Sequence, residues 1–202
     1  MVEVHCMKKN SWWILHSVVF GLITLLTLAS LFLPWGSYDD DTDSAIVLSG
    51  YYNDNEEEVE TWADLADNYS GDKEDIYNGI GLASLIYFLF SIIAMLSYIA
   101  AIILLILDIC GKFSKTLVTV ILVWVSFGFY LIGYIAFMAA AKITFGEGDE
   151  RMFDLEGDQQ NAGAEAGGVL GLIVVLLGVI AGALHTYVWF KSNKASKTTQ
   201  NS

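Results

Sequence analysis

Long apolar runs alternate with polar, acid-rich ones along this chain. From Ile14 to Leu33 twenty residues pass without a formal charge. At about 1.5 Å per residue, a helix of that length matches a hydrocarbon core of ~30 Å. Three further runs of this kind follow, and together they predict transmembrane helices over 12–33, 79–107, 116–141 and 168–190. The run 79–107 is longer than a bilayer requires, so it predicts a helix that tilts or projects. Two polar segments, 34–78 and 142–167, and a short connector, 108–115, join these helices. The ends are 1–11 and a basic, polar tail, 191–202, expected to be disordered. A cleaved signal peptide is the alternative reading of the first run, with small residues at Ala29 and Ser30. A signal's apolar stretch is normally only about 7–15 residues, which favours a retained helix.

Composition agrees with the membrane class, since 55% of the 202 residues are hydrophobic and only one is proline. Charge sharpens the picture. Fourteen of the twenty-three acids lie in 34–78 and seven between Glu147 and Glu165. The net charge of -13 therefore describes two loops at one membrane face, which repel nucleic acid and attract cations diffusely. Lys8, Lys9, Lys112, Lys115, Lys191, Lys194 and Lys197 all fall on the opposite face. The positive-inside rule places that face, with both termini, in the cytosol and the acidic loops outside or in a lumen, at the plasma membrane or an endomembrane. Asn68-Tyr69-Ser70 is a glycosylation sequon in the first acidic loop, with Asn68 as acceptor. Cys6 and Cys110 both face the reducing side, where a disulfide is not expected and S-palmitoylation is chemically open to them.

Within 34–78 the segment 45–52 (AIVLSGYY) predicts a strand or hairpin bending at Ser49-Gly50. Residues 54–69 predict a helix that opens on an Asp54/Glu57 capping box and stops at Ser70-Gly71. Val59, Trp62, Leu65 and Tyr69 recur on one face of that helix. This face packs on the strands, on the second loop through Phe145 and Phe153, or on a partner. Asp39, Asp41 and Asp43 imitate the start of a calcium loop, but Ser44 and Gly50 stand where an EF-hand needs glycine and glutamate. These acids, with Glu56, Glu57 and Glu58, are read as cation-attracting and not as a metal site.

Other patterns concern the spans. Gly167 with Gly171 and Gly178 with Gly182 have the GxxxG spacing of close helix packing, and Ser84, Ser91, Ala94, Ser97 and Ala101 form a comparable stripe. His16 and His185 are the ionisable groups well inside the spans, at matched depth, and so are candidate pathway residues that can meet. No zinc cluster, phosphate loop or nucleophile elbow occurs in the sequence, which argues against an enzyme and against any cofactor.

Four spans, a first outer loop of about 45 residues, a short cytosolic connector and a shorter second outer loop resemble the claudin and peripheral-myelin-protein superfamily. Pro34-Trp35-Gly36 matches the first tryptophan of that family's signature, whereas its GLW and its two loop cysteines are absent. The resemblance implies an outer sheet and a short helix ahead of the second span. The expected fold is an all-α membrane protein, a four-transmembrane-helix bundle with a small extracellular or lumenal β-sheet and short helix from the first loop. The expected function is a non-enzymatic scaffold or adhesion protein. Its acidic loop would contact itself or other membrane proteins through Val59, Trp62, Leu65 and Tyr69, with lipid around the spans. A cation channel or auxiliary channel subunit with an acidic vestibule is the alternative.

Overall fold

The protein, seen in a computed structural model that describes residues 2–37, 44–53, 58–110, 116–145 and 159–200, is built on four long helices. These are α1 (Val2–Ser30), α3 (Asp72–Ile109), α4 (Thr116–Ala140) and α5 (Ala166–Gln200), with a short α2 (Trp62–Asn68) between the first two. Each long helix contains a stretch long and apolar enough to cross a membrane. α3 packs against α1 and α4, and α5 closes the ring by packing against both.

The periodicity of burial explains the packing. On α3 the buried positions run through Tyr77, Ile80, Ser84, Tyr87, Ser91, Ala94, Tyr98, Ala101 and Leu105. On α1 they run through Trp13, His16, Phe20, Ile23, Thr27 and Ser30. Both sets alternate steps of three and four, the 3.5-residue repeat that wraps helices in a left-handed sense. The opposite faces are apolar as well: Leu25, Leu82, Leu96 and Ile132 are all more than half exposed. A helix apolar on every side suits hydrocarbon or a large core, not water.

A mixed sheet caps one end of the bundle. Its strands are β1 (Gly36–Ser37), β2 (Ser44–Val47), β3 (Gly50–Asn53), β4 (Glu58–Thr61), β5 (Ile143–Thr144) and β6 (Ala162–Ala164), in the order β4-β3-β2-β1-β6-β5. β2 and β3 form the hairpin expected over 45–52, with Val47 opposite Gly50. The turn is Leu48-Ser49, and Gly50 opens the next strand. A Cβ on Gly50 would overlap the Glu60 carbonyl. The sheet was expected from the first loop alone. It also takes in the second, because β1 pairs antiparallel with β6, and β6 parallel with β5.

Two expectations need correction. Residues 54–69 do not form one helix: Glu58–Thr61 is a strand, Trp62–Asn68 the helix, and 54–57 lie outside the described residues. Cross-strand pairing of Val59 with Tyr52 wins over helical propensity there. The helix begins instead where Thr61 Oγ1 accepts from the Asp64 amide at 3.2 Å, a side-chain N-cap. The tail is the second correction, since α5 continues to Gln200 rather than ending in disorder at 191. A helix already nucleated extends cheaply.

Candidate functional site: an acidic cap clamped to the bundle and the groove beneath it

Pro34 has no amide hydrogen, so the Ser30 carbonyl at the end of α1 cannot take the helical bond from residue 34. The Trp35 indole supplies the missing donor, with Nε1 2.8 Å from the Ser30 oxygen. Trp35 is fully buried, and its ring meets Tyr87 at 4.7 Å and Phe137 at 5.1 Å, both edge-on. Its backbone then joins both loops. The amide donates to Ile46 O at 2.8 Å and the carbonyl accepts from Glu165 N at 2.9 Å. Beneath it Ser30 Oγ lies 2.8 Å from the Tyr87 hydroxyl, which donates to Tyr130 at 3.0 Å, so α1, α3 and α4 share one buried polar node.

A second clamp holds the hairpin. The Leu48 carbonyl accepts from Trp62 Nε1 at 3.1 Å and also from the Ser84 hydroxyl of α3. Trp62, Leu65 and Ala66 are buried, so α2 lies against α3 by the very face the sequence offered to a partner. Trp62 and Leu65 are therefore packing residues. Val59 and Tyr69 remain exposed, Val59 on β4 and Tyr69 beyond α2 with its ring 5.4 Å from Tyr77. Phe145 is exposed and Phe153 lies outside the described residues; the two loops meet through the pairing of β1 with β6.

Asp64, Asp67, Asp72, Glu74, Asp75 and Glu165 are exposed at the cap end. Asp39, Asp41, Asp43, Glu56 and Glu57 lie outside the described residues, and Glu58 is in β4. Among the described residues no three His, Cys, Asp or Glu side chains gather as a metal-holding group. Asn68 is exposed in the last turn of α2.

The four GxxxG glycines of α5, Gly167, Gly171, Gly178 and Gly182, meet neighbours within the chain. A Cβ on Gly167 would sit 2.7 Å from Pro34 O, and one on Gly178 2.9 Å from Phe127 Cδ2. One on Gly171 would run into the Tyr134 ring, and one on Gly182 would lie 3.3 Å from Trp124 Cε2. Each of these glycines is a recess for an aromatic side chain or for the chain that follows α1.

His16 and His185 do meet, with ring centroids 5.0 Å apart between Trp13 and Phe20. His16 Nδ1 donates to the Trp12 carbonyl at 2.7 Å, which fixes its tautomer. His16 Nε2 and both His185 nitrogens are buried without a hydrogen-bond partner.

Between the cap and the side of the bundle lies an apolar groove of about 820 Å³. Phe32, Leu82, Leu85 and Phe88 form its floor, and the Leu48 turn, Val59 and Thr61 its roof. No single stretch of sequence signals it, because its walls come from the segment after α1, the hairpin, β4, α2 and α3. Comparison of the chain with protein-family models, curated proteins and solved structures returns no match.

Proposed function

We propose that this protein is a non-enzymatic, four-span membrane scaffold that presents its acidic cap to other copies of itself or to other membrane proteins. The cap faces outward or into a lumen and both termini face the cytosol, a layout similar to that of claudins. The observation that carries this reading is the double clamp. Trp35 and the Leu48 carbonyl fix a sheet drawn from both loops onto the bundle. A surface ordered in advance loses less entropy when it binds. The exposed Val59 and Tyr69 then supply apolar contact, and Asp64, Asp67, Asp72, Glu74 and Asp75 set electrostatic selectivity.

The same acids keep a second reading in play, a cation channel or auxiliary channel subunit with a negatively charged vestibule. Trp13, Phe20, Tyr98, Tyr87 and Phe137 fill the space between the helices, so a conducting path would have to run between copies. Crosslinking and blue-native gels on Val59→Ala/Tyr69→Ala test the scaffold reading, with loss of higher-mass species at unchanged stability as the expected result. Unaltered assembly together with cation flux in liposomes that falls on neutralising the cap acids would favour the channel instead.

A further inference from the structure

The groove between cap and bundle has two unlike walls. Its floor continues the exposed apolar face of α3, since Leu82 and Leu85 lead without a break to Leu89 and Leu96. Its roof is the Leu48 turn and Val59, which belong to the cap and not to any span. No charged side chain is found among its described lining residues, although the cap beside it carries exposed acids. The polar groups among the described lining residues are neutral ones such as Ser49, Thr61 and Asn78.

Resting on the membrane reading above, we propose that this groove binds one acyl chain of a zwitterionic or neutral outer-leaflet lipid. Water in so apolar a recess is unfavourable, and the volume lies within the ~300–1,000 Å³ typical of small-molecule sites. The groove opens onto a surface that hydrocarbon would cover, so a bilayer chain enters it without leaving an apolar environment. With no Lys or Arg among the described lining residues, a phosphate finds no cation to pair with in them, and the exposed Asp64, Asp72 and Asp75 of the cap repel an anionic headgroup. Ser49 and Asn78 offer hydrogen bonds to a glycerol ester at the rim. The lipid thus becomes part of the joint between cap and bundle.

The test uses the full chain in nanodiscs of phosphatidylcholine carrying an acyl-chain diazirine, irradiated and mapped by peptide mass spectrometry. Adducts on the roof, at both Leu48 and Val59, are the expected result, since only a chain inside the groove reaches both. Leu85→Trp fills the groove and should abolish roof adducts. Leu96→Trp, on the same face outside the groove, should keep them. Native mass spectra from mild detergent should show one retained phospholipid per wild-type chain and none for Leu85→Trp. Adducts spread evenly along α3 with a bare roof would overturn the proposal, as would roof labelling by a sterol diazirine alone or by a second copy of the chain. If Leu85→Trp does not fold, labelling of the wild-type roof still decides. A chain that leaves the membrane in alkaline carbonate refutes the span reading itself, whereas one that stays with an unlabelled roof refutes only the lipid site.

Discussion

Replacing Trp35 with phenylalanine removes one hydrogen-bond donor and keeps an aromatic ring. Because Pro34 has no amide hydrogen, the Ser30 carbonyl then loses the indole that caps it. Leaving a buried acceptor unsatisfied costs about 1–3 kcal/mol. The edge-on contacts with Tyr87 and Phe137 largely survive, so the cost stays in that range. Trp35→Ala leaves the same carbonyl bare and empties a fully buried site, which places it at the upper end of the ~3–5 kcal/mol of aromatic-to-alanine core changes. Reversible unfolding in mixed micelles by SDS titration measures both. Limited proteolysis should show the cap loosening first, because the Trp35 backbone bonds to Ile46 and Glu165 depend on where the ring sits. A Trp35→Phe protein within about 0.5 kcal/mol of wild type, the range of neutral surface changes, would refute the capping argument.

Gly171→Leu drives a side chain into the Tyr134 ring and should cost at least about 1–3 kcal/mol by overpacking, read as a lower melting temperature, with the chain's size on blue-native gels unchanged because the contact is intramolecular. Gly50→Ala places a methyl on the Glu60 carbonyl and should expose the hairpin to protease while helical circular dichroism holds. Trp62→Ala should act through stability and not through partner affinity, because the ring is buried; a melting temperature equal to wild type would contradict this. Asn68→Gln should remove a glycosidase-sensitive mass shift in a eukaryotic host, and an unchanged mobility before and after glycosidase would count against an outward cap.

The four long helices were legible because apolarity on every face needs no partner to be recognised. Their handedness was also present, in the three-four spacing of Tyr77 to Leu105, but only burial reveals which positions to count. β5 and β6 were hidden, since Ile143-Thr144 and Ala162–Ala164 are too short and too rich in small residues to signal strands. The acids around Glu58 imitated a helix start, whereas the real N-cap is Thr61. Helical spacing of Trp62 and Leu65 was read correctly as an apolar face. Its burial against α3 goes with a Leu48 carbonyl that accepts from both Trp62 and Ser84, a pairing that no local pattern encodes. The groove is equally long-range, and so was invisible.

In the proposed topology the cap lies outside a bundle whose ends are in the cytosol. An impermeant maleimide tests it in cells whose plasma membrane alone is opened by digitonin, comparing the exposed Cys110 with Asp67→Cys in a Cys6→Ala/Cys110→Ala background. Cys110 should label only after digitonin. Residue 67 should label in intact cells, or else only when internal membranes are also opened. Labelling of both positions together, on digitonin treatment alone, would contradict it.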